Sequence, residues 1–239
     1  MTIDTGGYYM TIRSRIIKDF ERIDQNLIKE YEGIPSSNIG DVLNRLYSMN
    51  STIKPFNHNH LIGNAFTVKV PDGDNLFIHQ AIDLANEGDV LVINAEGATN
   101  RAVFGEMMLD IVERKKLGGI IIDGCVRDID AIRESSIPVY AIGVTPQGPY
   151  KHGPGEINVP ISCGGQPIRP GDLIVGDSDG VVVIPSELVK DVLYDAKNKY
   201  QGEIKELKLR NSSLSDEEIL KKHQDKFIKE LESIDISYE

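Results

Sequence analysis

Arg127 and Asp128 stand side by side directly after the run Gly118-Gly119-Ile120-Ile121-Ile122-Asp123-Gly124-Cys125-Val126. Three consecutive isoleucines read as a strand buried on both faces, and Asp123-Gly124 reads as the turn that ends it. In an open α/β sheet, ligands bind in the crevice beyond the carboxyl ends of the strands. Arginine offers a planar fork of donors that matches a carboxylate, and aspartate is a hard oxygen ligand suited to Mg²⁺ or Mn²⁺. The pair therefore predicts a small-anion site with a metal at Asp128. The competing reading has Asp128 capping the next helix and Arg127 as a solvated surface charge.

A second candidate, Gly105-Glu106-Met107-Met108, falls in the helix expected just before that strand. A glycine where the backbone nears a ligand leaves the following amides open to a carboxylate, and Glu106 would reach a metal through water. Alternatively, Met107 and Met108 are core fillers and Glu106 is an ordinary helix-surface acid. His79 and His152 read as hydrogen-bonded structural histidines. Cys125 lacks a nearby histidine to activate it and reads as a packing residue. No Gly-x-Gly-x-x-Gly run or phosphate loop occurs, which argues against a nucleotide or S-adenosylmethionine.

These residues need elements to carry them. Ile12, Ile16, Phe20, Ile23, Leu27 and Tyr31 recur at steps of three and four, which predicts an N-terminal amphipathic helix. Pro35-Ser36-Ser37 opens a second helix through Val42, Leu43 and Leu46. Alternating strands and helices follow: a strand over Phe66–Val70, the turn Pro71-Asp72-Gly73-Asp74, a helix over Leu76–Ala85 and a strand over Val90–Ile93. Next come a helix from about Ala102 to Lys116, the strand at 119–123, a short helix at Asp128–Glu134 and a strand over Val139–Ile142. That alternation predicts an α/β fold with a mostly parallel sheet. The Gly- and Pro-rich stretch 143–165 is too long for a mere connection. Two short strands, at Leu173–Val175 and Val181–Ile184, close the core. Beyond Pro185 the chain reads as helical, with a capping box at Ser215-Asp216-Glu217-Glu218. The expected organisation is a helical extension over 1–30, a core over 31–190 and a helical tail over 191–239. The tail's apolar faces have no further strand to cover, so a neighbouring subunit is the expected partner.

Composition narrows the classes. The 239 residues carry a net charge of −11, which disfavours nucleic acid as a direct partner because phosphate binding needs a concentrated basic surface. With no tryptophan and 6% aromatics, stacking platforms for single strands are also disfavoured. No apolar run reaches the length of a membrane span, and no signal-peptide pattern opens the chain. Two isolated cysteines suit a reducing cytoplasm.

Several runs occur in order: Gly73-Asp74-Asn75-Leu76-Phe77-Ile78-His79, Gly88-Asp89-Val90-Leu91-Val92, Gly105-Glu106-Met107-Met108 and Asp123-Gly124-Cys125-Val126-Arg127-Asp128. They continue with Gly148-Pro149-Tyr150, Gly155-Glu156-Ile157-Asn158-Val159-Pro160, Pro170-Gly171-Asp172 and Asp179-Gly180-Val181-Val182-Val183-Ile184-Pro185. From about residue 30 to 190 the chain resembles the family of 4-hydroxy-4-methyl-2-oxoglutarate aldolase, 4-carboxy-4-hydroxy-2-oxoadipate aldolase and the RraA regulators of ribonuclease E. The resemblance implies a layered, swivelling-domain-like β/β/α core, assembled into homotrimers or homohexamers with sites between subunits. It implies a class II aldolase dependent on Mg²⁺ or Mn²⁺ that cleaves 4-hydroxy-2-oxo diacids to pyruvate, with oxaloacetate decarboxylation as a side activity. Arg127 would hold the pyruvate unit, Asp128 the metal, and the backbone of Gly105 to Met108 a carboxylate, with Glu106 in the metal's water shell. A tail glutamate, Glu203 or Glu206, would enter the neighbour's site. The alternative implied by the same family is a non-catalytic regulator that binds a ribonuclease or helicase.

Overall fold

The computed structural model describes residues 14–232 and Ile234. In chain order it begins with β1 (Arg15–Ile16), α1 (Gln25–Lys29), α2 (Ser36–Val42), β2 (Lys54–Pro55) and β3 (Leu61–Lys69). The central units are α3 (Leu76–Leu84), β4 (Val90–Phe104), α4 (Glu106–Arg114), β5 (Gly119–Val126), α5 (Ile129–Glu134) and β6 (Val139–Val144). Short strands β7 (Glu156–Ile157), β8 (Ile161–Cys163) and β9 (Gln166–Ile168) lead to β10 (Leu173–Asp177) and β11 (Gly180–Ile184). Helices α6 (Val189–Ser213) and α7 (Asp216–Glu232) complete the described chain.

β3, β4, β5 and β6 lie side by side and parallel, joined by the crossovers α3, α4 and α5. β3 belongs to two sheets. Its residues 65–69 pair with β4, whereas residues 61–64 pair antiparallel with β10, which in turn pairs with β11. The period-2 side-chain alternation then builds three cores. Phe66, Val68, Leu91, Ile93, Ile120 and Ile122 face α3, α4 and α5. Ala65, Val90, Val92, Ile121 and Tyr140 face the other way, onto Ile161, Ile174, Val181 and Val183. Leu173, Val175, Val182 and Ile184 turn outward from the second sheet onto α1, α2 and the start of α6. The result is an α/β architecture of two stacked sheets with helices on both outer faces. No helix among the described residues is long and apolar enough to cross a membrane.

Several sequence expectations need correction. The amphipathic helix over residues 12–31 does not form where it is described, and residues 1–13 lie outside the described residues. Arg15 and Ile16 instead extend the sheet edge beside β7, and helix appears only at Gln25–Lys29. Tertiary partners outbid the helical periodicity here: the side chain of Asn64 brackets the backbone of Ile23, and Arg22 pairs with the buried Asp89. β5 does not end at Asp123-Gly124 but runs to Val126, because irregular pairing with β4 and β6 absorbs that dipeptide. β4 likewise runs on to Phe104, so the helix expected from Ala102 starts at Glu106.

The tail is not one appendage. Val189, Val192, Leu193 and Ala196 are buried against α2 and the second sheet, and the buried hydroxyl of Tyr31 donates to the Val189 carbonyl. The first turns of α6 are therefore core, beyond the expected boundary at 190. Tyr194 is already exposed, and further along Leu207, Leu209, Leu220, Phe227 and Leu231 are exposed as well. Truncating a buried leucine leaves a cavity as well as a lost transfer term. Leu193→Ala should therefore lower the unfolding free energy by about 2–3 kcal/mol in urea titrations. Removing residues 214–239 should leave the unfolding midpoint within error.

Candidate active site

The carboxyl ends of β4 and β5 meet at the amino end of α4. The Arg127 N–H donates to the Phe104 carbonyl at 3.0 Å, which locks the two strand ends together. Gly105, in extended backbone, passes so close to the next turn that a Cβ there would lie 2.5 Å from Asp128 Oδ2 and 2.9 Å from Arg127 Cγ. Only a residue without a side chain allows that approach. Asp128 adopts the left-handed conformation (φ 57°, ψ 47°) and makes no side-chain cap on α5. Its Oδ2 turns back to accept the Glu106 N–H at 3.1 Å and lies 3.5 Å from Arg127 Nε. The helix-cap reading of Asp128 is thereby set aside.

A cavity of about 320 Å³ opens beside this junction. Its walls include Asn75 and His79 from α3 and its cap, Val103 and Gly105 from the end of β4, and Met107 and Met108 from α4. Arg127 lines it as well, its guanidinium close beside Gly148, and Pro149 and Lys151 continue the lining. Among the described residues, arginine and lysine line this space and no carboxylate does, which suits an anion. Asn75 Oδ1 and His79 Nε2 are buried without hydrogen-bond partners among the described residues. Orphaned polar atoms at a cavity wall call for a ligand or ordered water. Burial, then the nearby Lys151 charge, hold the His79 pKa below its ordinary 6.5, so the ring is neutral at neutral pH.

The sequence-derived candidates fare unevenly. Gly105, Met107, Met108 and Arg127 line the cavity, and Asp128 and Glu106 adjoin it through the Glu106 amide. Met108 is buried, with its sulfur near Asn75 Nδ2, but Met107 is 79% exposed and fills no core. Of the α4 amides, that of Glu106 is taken by Asp128 and that of Met108 by the Gly105 carbonyl. The Met107 N–H makes no hydrogen bond among the described residues. Neither Glu203 nor Glu206 lines the cavity of its own chain. Glu203 accepts from the buried Asn38 at 2.8 Å and faces Lys199, whereas Glu206 pairs with Arg210. Burial raises the Cys125 thiol pKa, so the thiol is protonated at neutral pH. Asn75, His79 and Lys151 were not singled out as ligand-facing by the sequence, since only the closure of the 148–153 segment over α3 brings them here.

No group of three or more metal-binding side chains occurs among the described residues. Asp128, with its side chain 40% exposed, offers one carboxylate. A single carboxylate suits Mg²⁺, which keeps several waters and completes its shell with substrate oxygens. The donor set fits that ion.

Fold and site together define an α/β protein with a small, cationic anion pocket at the strand ends. Residues 36–183 match the RraA-like family model, described as Aldolase/RraA, and the chain belongs to that family. A Halalkalibacterium halodurans protein, provisionally named a 4-hydroxy-4-methyl-2-oxoglutarate aldolase, is 46% identical over 73% of this chain and 83% of its own. A solved structure of an uncharacterised Pseudomonas syringae protein superposes with a TM-score of 0.71 at 26% identity, covering 82% of this chain and 97% of that one. The structure of the RNA-processing inhibitor RraA from Thermus thermophilus gives 0.59 at 25% identity, covering 63% and 92%.

The lowered His79 pKa gives a signed expectation. The unfolded state, with the ordinary pKa of 6.5, binds the proton more readily, so stability is full above that pH and declines as pH falls below it. His79→Gln should flatten this acid limb in chemical unfolding measured from pH 7.5 downward.

Proposed function

We propose that this chain is a carbon–carbon lyase that cleaves 4-hydroxy-2-oxo diacids to pyruvate and a second 2-oxo acid in the cytoplasm. Oxaloacetate decarboxylation would be its side activity. The observation that carries the reading is a cavity lined by Arg127 and Lys151, and by no carboxylate among the described residues, beside the junction of Gly105 and Asp128. The relatives provisionally named as aldolases support it.

Arg127 binds the carboxylate of the 2-oxo acid end through its planar fork, and the Met107 N–H adds a donor at the positive end of α4. Lys151 meets the distal carboxylate. The proton of the 4-hydroxyl leaves to a carboxylate through water, with Glu106 or a tail glutamate as the acceptor. The C3–C4 bond then breaks, its electrons pass to C3 of the pyruvate fragment, and C3 takes up a proton. Asp128 would hold Mg²⁺ or Mn²⁺, which supplies Lewis acidity at the 2-oxo group when bound.

The tail acid comes from a neighbouring copy in a homotrimer or homohexamer, and Glu203 is the better candidate. Glu206 is tied to Arg210 with Lys222 and Lys226 beside it, and these contacts hold its carboxyl below the usual carboxylate range. Glu203 also faces a cation, Lys199, but at 3.4 Å, and its hydrogen bond is to the neutral Asn38, so it is held less tightly than Glu206.

Pyruvate release from 4-hydroxy-4-methyl-2-oxoglutarate, 4-carboxy-4-hydroxy-2-oxoadipate and oxaloacetate tests the proposal. Activity should vanish in EDTA and return with Mg²⁺. Arg127→Lys should lose on the order of a hundredfold in kcat/KM, because a point charge cannot replace the bidentate fork. Glu203→Ala should cut kcat while Glu206→Ala stays near wild type. Cys125→Ser should retain turnover. A folded protein inactive on all three acids, with or without metal, would favour the non-catalytic regulator represented by the RraA neighbour.

A further inference from the structure

One buried carboxylate near the cavity has no part in the chemistry above. Asp74, 4% exposed, sits in the turn before α3. Its Oδ2 accepts the N–H of His152 at 2.6 Å and of Gly153 at 3.0 Å, and its Oδ1 accepts that of Leu76 at 3.0 Å. The backbone on either side is stitched to the same segment. Tyr150 N–H donates to the Gly73 carbonyl at 2.7 Å, and Asn75 N–H donates to the Tyr150 carbonyl at 3.0 Å. Lys151 lies between these anchors. Lys151 lines the cavity, its charge acts on His79, and its side chain forms no ion pair among the described residues, so its own contacts do not hold it there. Arg101 secures the segment further upstream, through the Gly148 carbonyl and the Tyr150 hydroxyl, and stops short of Lys151.

We propose that Asp74 is a positioning residue that fixes Lys151 at the cavity that Arg127 also lines and thereby sets the preference for substrates with a second carboxylate. The proposal rests on the aldolase reading for its substrate, but the device itself is a matter of geometry. Three backbone donors converge on one side chain, and only a carboxylate supplies two acceptor oxygens without a donor of its own. The same side chain joins both walls of the pocket, since Leu76 begins the helix that carries His79 while His152 and Gly153 follow Lys151. An asparagine at this position keeps the size but turns an NH₂ group against at least one of the three N–H donors. Such a mismatch loosens the segment without opening a cavity in the core.

The test compares wild type, Asp74→Asn, Lys151→Ala and the double variant on two substrates, 4-hydroxy-4-methyl-2-oxoglutarate and 4-hydroxy-2-oxopentanoate, which lacks the distal carboxylate. Asp74→Asn should raise KM for the diacid about tenfold, with kcat within about twofold, and leave the monoacid untouched. The double variant should be no worse than Lys151→Ala, as expected for residues acting through one contact. Equal losses on both substrates, or additive losses in the double variant, would show a merely structural aspartate and overturn the proposal. Calorimetry with 2-oxoglutarate and pyruvate separates this outcome from a failure of the aldolase reading. A wild type that releases no pyruvate but binds 2-oxoglutarate more tightly than pyruvate, with the margin lost in Asp74→Asn, refutes only the reaction. A wild type that binds the two equally refutes the positioning role.

Discussion

The absence of a side chain at Gly105 is the constraint on which the rest of the site depends. Asp128 Oδ2 occupies the volume a Cβ would claim there, and Arg127 Cγ lies almost as close. This approach lets the end of β4 and the start of α4 meet the turn after β5. It brings a guanidinium, a carboxylate and the amide end of a helix within one small region. The left-handed backbone of Asp128 belongs to the same arrangement. It spends conformational energy to aim the carboxylate at the Glu106 amide instead of at α5. The buried isoleucines of β5, packed on both faces, supply the rigid base against which that strain is held.

Around this junction the charges divide by position. Cations and a neutral histidine face the cavity, whereas the acids Glu106 and Asp128 stand at its edge. A low-dielectric wall of Val103, Phe104 and Met108 strengthens the field that Arg127 and Lys151 project. Asn75 Oδ1 and His79 Nε2, without hydrogen-bond partners among the described residues, line the same cavity as these cations. The tail acids Glu203 and Glu206 stay outside this cavity of their own chain, because α6 is anchored over α2 by its first turns.

Much of this was legible in the sequence, and the failures share a physical cause. The alternating strands and helices, the strand at 119–123 and the Arg127-Asp128 pair followed from local pattern and turn chemistry. The path beyond Asp123-Gly124 did not, because a register irregularity between β5 and its neighbours replaces the turn that this dipeptide usually forms. The N-terminal helix failed because Asn64 and Asp89, far away in sequence, capture Ile23 and Arg22. Met107 and Met108 are indistinguishable by type, yet one points to solvent and the other into the core. Lys151 looks like any loop lysine, and the buried Asp74 that organises its segment looks like any turn aspartate.

Gly105→Ala gives the most direct test of the central claim. The added methyl group would displace the Asp128 carboxylate and the Arg127 stem, both partly exposed and free to move, so the fold should survive with an unchanged circular dichroism spectrum and unfolding midpoint. Calorimetric titration with 2-oxoglutarate in the presence of Mg²⁺ reads the consequence. The account predicts affinity reduced on the order of a hundredfold in the folded variant, as expected for the loss of a charge-assisted bidentate contact. Wild-type affinity in a folded Gly105→Ala protein would contradict it.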